Sequence, residues 1–385
     1  MQYFSKLKKL FVIIFAIVSS LFMQKTYTSH YAIAATIDPV SPSSYASSIA
    51  WIDVSRDFQK FLVVTHETPD ENSRSVDSLI KIFEIDSGLV HCEFYIKKDI
   101  EIKKAIFNTD DRYIHAIASD KYETGRITTL NGSKPFTEHE IKFIETVEEL
   151  NCLAISPNGE LLVVGGNDGC LIFLNPFTLD NALQDNIFNQ EENNNETTTA
   201  LNFNQTGEKI ICAHQTNHSS LIRILNATTG FCEFILENNH YWERNNIRSI
   251  QFNPLDENTL HLTTAGKFYT FNKDNPSASF FHKIHCDHVA IESDGTMATI
   301  NKRGQLRQLV TNNTYKPKLS EDIAHNNKKS PIKIYTNPNG LKSIISASDY
   351  NSYSKNPVIC LYKQIPSFKQ IQQRQITGAL SKLRK

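Results

Sequence analysis

Leu153-Ala154-Ile155-Ser156-Pro157-Asn158-Gly159-Glu160-Leu161-Leu162-Val163-Val164 reads as a short apolar strand, a polar reversal and a second apolar strand. The arrangement recurs along the chain. Marking the apolar residue that opens each reversal gives Val54, Phe107, Ile155, Phe203, Phe252, Ile291 and Tyr335, at steps of 53, 48, 48, 49, 39 and 44 residues. Pro, Asn, Asp and Gly at the reversals supply preset or positive φ angles. The flanking Val, Ile, Leu and Phe favour strands packed on both faces.

A third strand follows in most copies and ends on a large apolar residue and a polar one. Leu171-Ile172-Phe173-Leu174-Asn175, Leu221-Ile222-Arg223-Ile224-Leu225-Asn226, Leu79-Ile80-Lys81-Ile82-Phe83-Glu84 and Phe271-Asn272 show it. Alternation about Lys81 and Arg223 predicts a strand with one more polar side. A fourth, outer strand is expected in each copy, for instance Cys232-Glu233-Phe234-Ile235-Leu236. One such sheet cannot bury both faces alone, and repetition at roughly 40–50 residues points to blades stacked in a ring. The expected fold is all-β: a seven-bladed β-propeller of four-stranded antiparallel blades over residues 35–363. Residues 36–48 are expected to add a strand that closes the ring against residues 358–362.

The turn Ser156-Pro157-Asn158-Gly159, the turn Gly165-Gly166-Asn167-Asp168-Gly169 and the ending Leu174-Asn175 resemble a degenerate copy of the WD40-repeat family. The likeness covers roughly residues 47–363 and is strongest in the third and fourth copies. The family's Trp-Asp ending is replaced here by Leu-Asn, Phe-Glu and Phe-Asn. His282 and His325 sit about where the family's loop histidine lies. The resemblance implies a propeller used for binding and names no partner.

Lys6, Lys8 and Lys9 precede an apolar run over residues 10–23 broken only by Ser19 and Ser20. That is the pattern of an export signal, too short to be a comfortable membrane span. Residues 1–34 are read as a signal peptide, with cleavage after Ala34, or as a retained membrane anchor. Either places the remainder in a periplasmic or extracellular space. The formal net charge is −1, and removing the first 34 residues, with four lysines and no acid, takes it to −5. Residues 363–385 carry six basic residues and no acid, which leaves the body at −11. Such a body argues against nucleic acid as the main partner. The tail over residues 364–385 reads as a basic amphipathic helix.

Seven cysteines, Cys92, Cys152, Cys170, Cys212, Cys232, Cys286 and Cys360, lie mostly inside apolar strands, with no CxxC pair. They read as small core residues, with disulfides open in an oxidising compartment. His282-Lys283-Ile284-His285-Cys286-Asp287-His288 is the densest set of metal-ligand types, but one extended strand cannot close three or four ligands around zinc. A histidine hydrogen-bonded inside its own blade explains His282 without a metal. No Gly-x-Ser-x-Gly, His-Glu-x-x-His or phosphate-binding loop occurs. The sequence therefore assigns no catalytic, cofactor-binding or metal-binding residue. Tyr241, Trp242 and Arg244 are residue types that anchor interfaces and follow an outer strand, so they are the candidate interface. The reading favours a monomeric, non-enzymatic scaffold that meets a protein partner at one rim, with the N-terminal segment offering a membrane contact. The alternative is a secreted, lactonase-like propeller hydrolase with ionisable groups at the central channel mouth.

Overall fold

A computed structural model describes residues 31–37, 46–57, 59–68, 77–96, 100–120, 122, 124–132, 142–146, 149–183, 196–216, 219–238, 247–264, 267–274, 280–285, 288–291, 297–300, 306–309, 343–348 and 358–364. The described residues hold strands and no helix. Strand β1 (Tyr31–Ile37) belongs to a sheet completed at the far end of the chain. The first sheet in chain order follows as a meander of β2 (Ala46–Val54), β3 (Lys60–Thr68), β4 (Asp77–Glu84) and β5 (Val90–Ile96). The second is β6 (Ile100–Phe107), β7 (Tyr113–Asp120), β8 (Gly125–Asn131) and β9 (Lys142–Thr146). The third has β10 (Leu150–Ile155), β11 (Leu162–Gly166) and β12 (Leu171–Leu174). The fourth is β13 (Thr197–Phe203), β14 (Lys209–Gln215), β15 (Ser220–Asn226) and β16 (Cys232–Asn238). The fifth is β17 (Ser249–Asn253), β18 (Asp256–Thr264), β19 (Lys267–Asn272) and β20 (Phe280–His285). The sixth contains β21 (His288–Ile291), β22 (Met297–Ile300) and β23 (Leu306–Leu309). In the seventh, β24 (Ser343–Ser348) pairs with β25 (Val358–Gln364), and β1 lies outside β25.

The expected fourth strand is present in four of these sheets. In the third sheet the chain returns beside β12 only through an isolated bridge, Leu174 to Asn181. The turn after the third strand also differs there. Gly88 and Gly230 take positive φ at the matching place in the first and fourth sheets, whereas the third sheet puts Leu179 there at φ 58°. The N-terminal strand does pair beside residues 358–364, but it is drawn from residues 31–37, while most of the expected segment lies outside the described residues or in β2. β1 thus spans the expected cleavage point after Ala34.

Packing follows from strand alternation. On β7, Ile114, Ala116 and Ala118 bury against Leu62, Val64, Ile80 and Ile82 of the first sheet. The alternate residue Ile117 packs with Leu162 and Val164 of the third sheet. Val163 then meets Ile210 and Cys212 of the fourth sheet. Ile211 and Ala213 meet Leu260 and Leu262 of the fifth. The second strands β7, β11 and β14 therefore divide their side chains between the preceding sheet and the following one. The first strands touch in succession, β2 to β6 to β10 to β13 to β17 to β21, and β2 also touches β24. They form one continuous wall shared by the successive sheets. Residues 33–363 are one compact unit.

Candidate functional site

Four first strands carry a β-bulge at the same place, four residues before the mark. Ala50, Lys103, Asn151 and Thr199 are the extra residues. A bulge sharpens the local twist and re-aims its neighbours. Beside two of these bulges the wall becomes polar. The Lys103 ammonium pairs with Glu149. Asn167 Nδ2 donates to the Glu149 carboxylate at 2.7 Å, and Asn151 Nδ2 donates to Asn167 Oδ1 at 2.6 Å. This chain of contacts joins the second sheet to the third at the end where second strands turn into third strands.

A second polar set is buried between the third and fourth sheets. Arg223 on β15 donates two hydrogen bonds to Glu196, at 2.7 and 3.2 Å. Thr198 Oγ1 and His214 Nδ1 lie 3.2 Å apart, and His214 Nε2 lies 3.1 Å from Cys212 Sγ. Burial first, and then Arg223, push the His214 pKa down to about 3. His214 is therefore neutral, and its 3.9 Å approach to Glu196 is not an ion pair. Burial raises the Cys212 thiol far above its ordinary range, so it is no nucleophile. Lys81 is the counterpart of Arg223 in the first sheet, since each lies opposite the same position of the second strand. It is buried with Glu67 at 3.1 Å and reaches Glu93 at 3.7 Å. The polar side expected at Lys81 and Arg223 is present, and it is buried: carboxylates of the same sheets, Glu67 and Glu196, stand where water would.

His115 and His261 repeat a third device. They occupy one register position in the second and fifth sheets, with Nδ1 3.0 and 3.1 Å from the hydroxyls of Thr129 and Thr270 across the strand pair. Burial lowers the His115 pKa to about 4. These groups fix packing and offer no open chemistry.

The end that carries the first-to-second and third-to-fourth turns is knitted together. Asp111, at φ 56°, accepts from the backbone N–H groups of Arg56 and Asp57 at 2.7 and 3.1 Å. Arg56 Nη1 donates to the Pro157 carbonyl at 3.1 Å, linking the first sheet's turn to the third's. Asn204 Nδ2 donates to Glu257 at 2.7 Å, linking the fourth to the fifth. On this end Leu89, Phe231 and Leu255 are 68%, 67% and 66% exposed, and Phe177 is also exposed. Leu89 and Phe231 follow the positive-φ glycines Gly88 and Gly230, so they hold equivalent places. Exposed Asp86, Asp110, Glu160, Glu208 and Asp256 lie at turns of the same end.

Tyr241, Trp242 and Arg244 lie outside the described residues, as do His325, Cys286, most of residues 1–34 and nearly all of the basic tail. In the histidine-rich segment, β20 ends at His285 in one sheet and β21 begins at His288 in the next, so His282 and His288 belong to different sheets. Among the described residues no three His, Cys, Asp or Glu side chains gather as a metal site. Cys92, Cys152 and Cys212 are buried free thiols, and Cys170 and Cys232 are half-buried ones. Sequence reasoning missed the exposed turn residues and the polar wall. The apolar residue after Ser-Gly or Thr-Gly in Ser87-Gly88-Leu89 and Thr229-Gly230-Phe231 was the available signal for the first. Neither a scan against protein-family models nor a search of curated proteins returns a match for this chain.

Proposed function

We propose that the chain is an exported, degenerate WD40-like propeller of seven blades that acts as a monomeric, non-enzymatic scaffold for a protein partner. Support for closure comes from the face of the first sheet turned away from the second. Phe61, Val63, Lys81, Phe83 and Glu67 there are all buried, which requires a covering layer, and β2 touches β24 of the seventh sheet. The observation that carries the function is the set of exposed apolar side chains at repeated turn positions on one end. Isolated exposed Leu or Phe residues are common, but the equivalent placement of Leu89 and Phe231, with Leu255 and Phe177 on the same end, suits a binding rim. The carboxylates at turns of that end favour a partner whose apolar contact is edged by Lys or Arg.

The test is capture of partners from the native envelope or medium by the wild type and by a Leu89→Asp, Phe231→Asp, Leu255→Asp triple variant. A reproducible prey that is lost with the triple variant, while its thermal melt is unchanged, supports the rim. Equal capture by both forms overturns it. Intact mass of the same bait reads the N-terminus: a mass beginning at Ala35 would show that most of β1 is dispensable. The polar wall at Lys103, Glu149, Asn151 and Asn167 favours a second reading, a hydrolase at the inner wall. Turnover of lactone substrates that vanishes with Glu149→Gln would support it.

A further inference from the structure

Asn108 and His115 are polar side chains closed in where the second sheet meets the third, at 1% and 0% exposure. Ile106 lies opposite His115 across β6 and β7, and two residues further on the Asn108 N–H donates to the Tyr113 carbonyl. Alternation puts residues 106 and 108 on one face, so Asn108 and His115 are diagonal neighbours on that face. The third sheet meets both. A Cβ on Gly159 would sit 2.9 Å from Asn108 Oδ1. The Thr129 hydroxyl that meets His115 also reaches the Pro176 carbonyl.

The hydrogen bonds already made fix which atoms are left over. Asn108 Oδ1 accepts from the Thr109 N–H at 2.7 Å, which sets the orientation of the amide and leaves its NH2 group facing elsewhere. Thr129 Oγ1 lies 3.2 Å from the Pro176 carbonyl and 3.0 Å from His115 Nδ1. A carbonyl can only accept, and a hydroxyl has one proton to give. That proton goes to Pro176, so Nδ1 carries the hydrogen that Thr129 accepts. Burial keeps the ring neutral, and Nε2 is left as a bare lone pair. Among the described residues neither Asn108 Nδ2 nor His115 Nε2 has a hydrogen-bond partner, and both atoms are shut off from bulk solvent. One face thus holds a buried donor and a buried acceptor as neighbours, each unmatched. Buried polar groups are nearly always paired, because an unmade bond forfeits the full desolvation energy of the group.

We infer that a single water molecule is bound between the second and third sheets, accepting from Asn108 Nδ2 and donating to His115 Nε2. Diagonal neighbours stand about 7–8 Å apart, a span that two side chains and one bridging molecule close. Water fits because it is small, neutral, and both donor and acceptor. A cation could not accept from the amide, and a halide could not donate to the imidazole. The bridge completes a directed chain from Asn108 through water, His115 and Thr129 to the Pro176 carbonyl. That chain ties the first turn of the second sheet to the turn after β12, beside the exposed Phe177. This inference goes beyond the scaffold reading and stands whether or not a protein meets the rim.

The test is a long-range proton–nitrogen correlation spectrum of the purified full-length chain labelled with nitrogen-15 histidine. The His115 signals are assigned by their loss in His115→Gln. The expected result is a proton on Nδ1 and an Nε2 resonance displaced from the bare pyridine-type position toward the hydrogen-bonded one. A nuclear Overhauser contact should join the ring C–H protons beside Nε2 to a water that exchanges more slowly than surface water. Asn108→Leu removes the donor and fills the space. The water contact should then vanish and the Nε2 resonance return to the bare position, while Thr129 keeps the proton on Nδ1. Thr129→Val should instead release the ring to populate both tautomers. A proton on Nε2 in the wild type, or an Nε2 resonance at the bare position, overturns the inference. The decisive readouts are on the wild type, so they do not depend on the Asn108 or Thr129 variants folding.

Discussion

The interface between the first and second sheets and that between the third and fourth are built on the same strand positions with opposite chemistry. The first joins Leu62, Val64, Ile80 and Ile82 to Ile102, Ile114, Ala116 and Ala118, all buried and apolar. The second keeps an apolar half in Val163, Phe173, Phe203 and Ile210, then sets Glu196, Arg223, His214 and Cys212 beside it. The lesson is that alternation on a strand fixes which sheet a side chain faces, while its partner decides whether a charge can be tolerated there. An apolar interface loses stability by degrees when trimmed. An ionic one fails by leaving a charge stranded.

The most severe way to break the contrast is Arg223→Ala, which strands the Glu196 carboxylate. We expect a loss of about 3–5 kcal/mol in denaturant unfolding. A Glu196→Gln, Arg223→Met double variant should recover much of it, and failure to recover would mean that the pair is needed for more than charge balance. Acidification is the next lever. The unfolded chain takes up histidine protons below about pH 6.5, while folded His115 and His214 refuse them until about 4 and 3. Stability contributed by these neutral rings is therefore complete above pH 6.5 and falls as the pH drops toward those values, by about 1.4 kcal/mol per unit for each ring. His214→Gln should flatten the slope measured by urea titration at several pH values, and an unchanged slope would place the proton uptake elsewhere.

A smaller effect is expected at the edge of the ionic interface. Gly169 has φ +74°, and a Cβ there would sit 2.9 Å from the Glu196 Cβ. Gly169→Ala should cost about 1–2 kcal/mol through left-handed backbone strain, and more if Glu196 is displaced from Arg223. In the apolar interface, Ile80→Val removes one methylene and should cost about 1 kcal/mol with no change in pH dependence. A pH-dependent cost there would erase the distinction between the two interfaces.

The sequence carried the marks from Val54 to Ile291 and the first three strands of most copies, because turn residues and β-branched runs are local signals; Tyr335 lies outside the described residues. It placed a polar side at Lys81 and Arg223 but not the partners Glu67 and Glu196, because alternation in one dimension names no partner. Among the described residues the third sheet shows no regular fourth strand, and that was likewise illegible, since outer strands have one covered face and a weak pattern. Asn108 and His115 could have been set on one face by alternation about the mark Phe107. Their significance could not, because it depends on which of their polar atoms the third sheet leaves without a partner.

The four bulges allow variety without disturbing order. Ala50, Lys103, Asn151 and Thr199 each stand outside the pairing ladder, so none has a residue directly opposite it. An apolar methyl, a cation, an amide and a hydroxyl already occupy that one address. Each copy can therefore change the chemistry of its slot while the hydrogen-bonded frame on either side keeps its register. A chain with such slots can acquire new specificity one residue at a time, without first relearning how to fold.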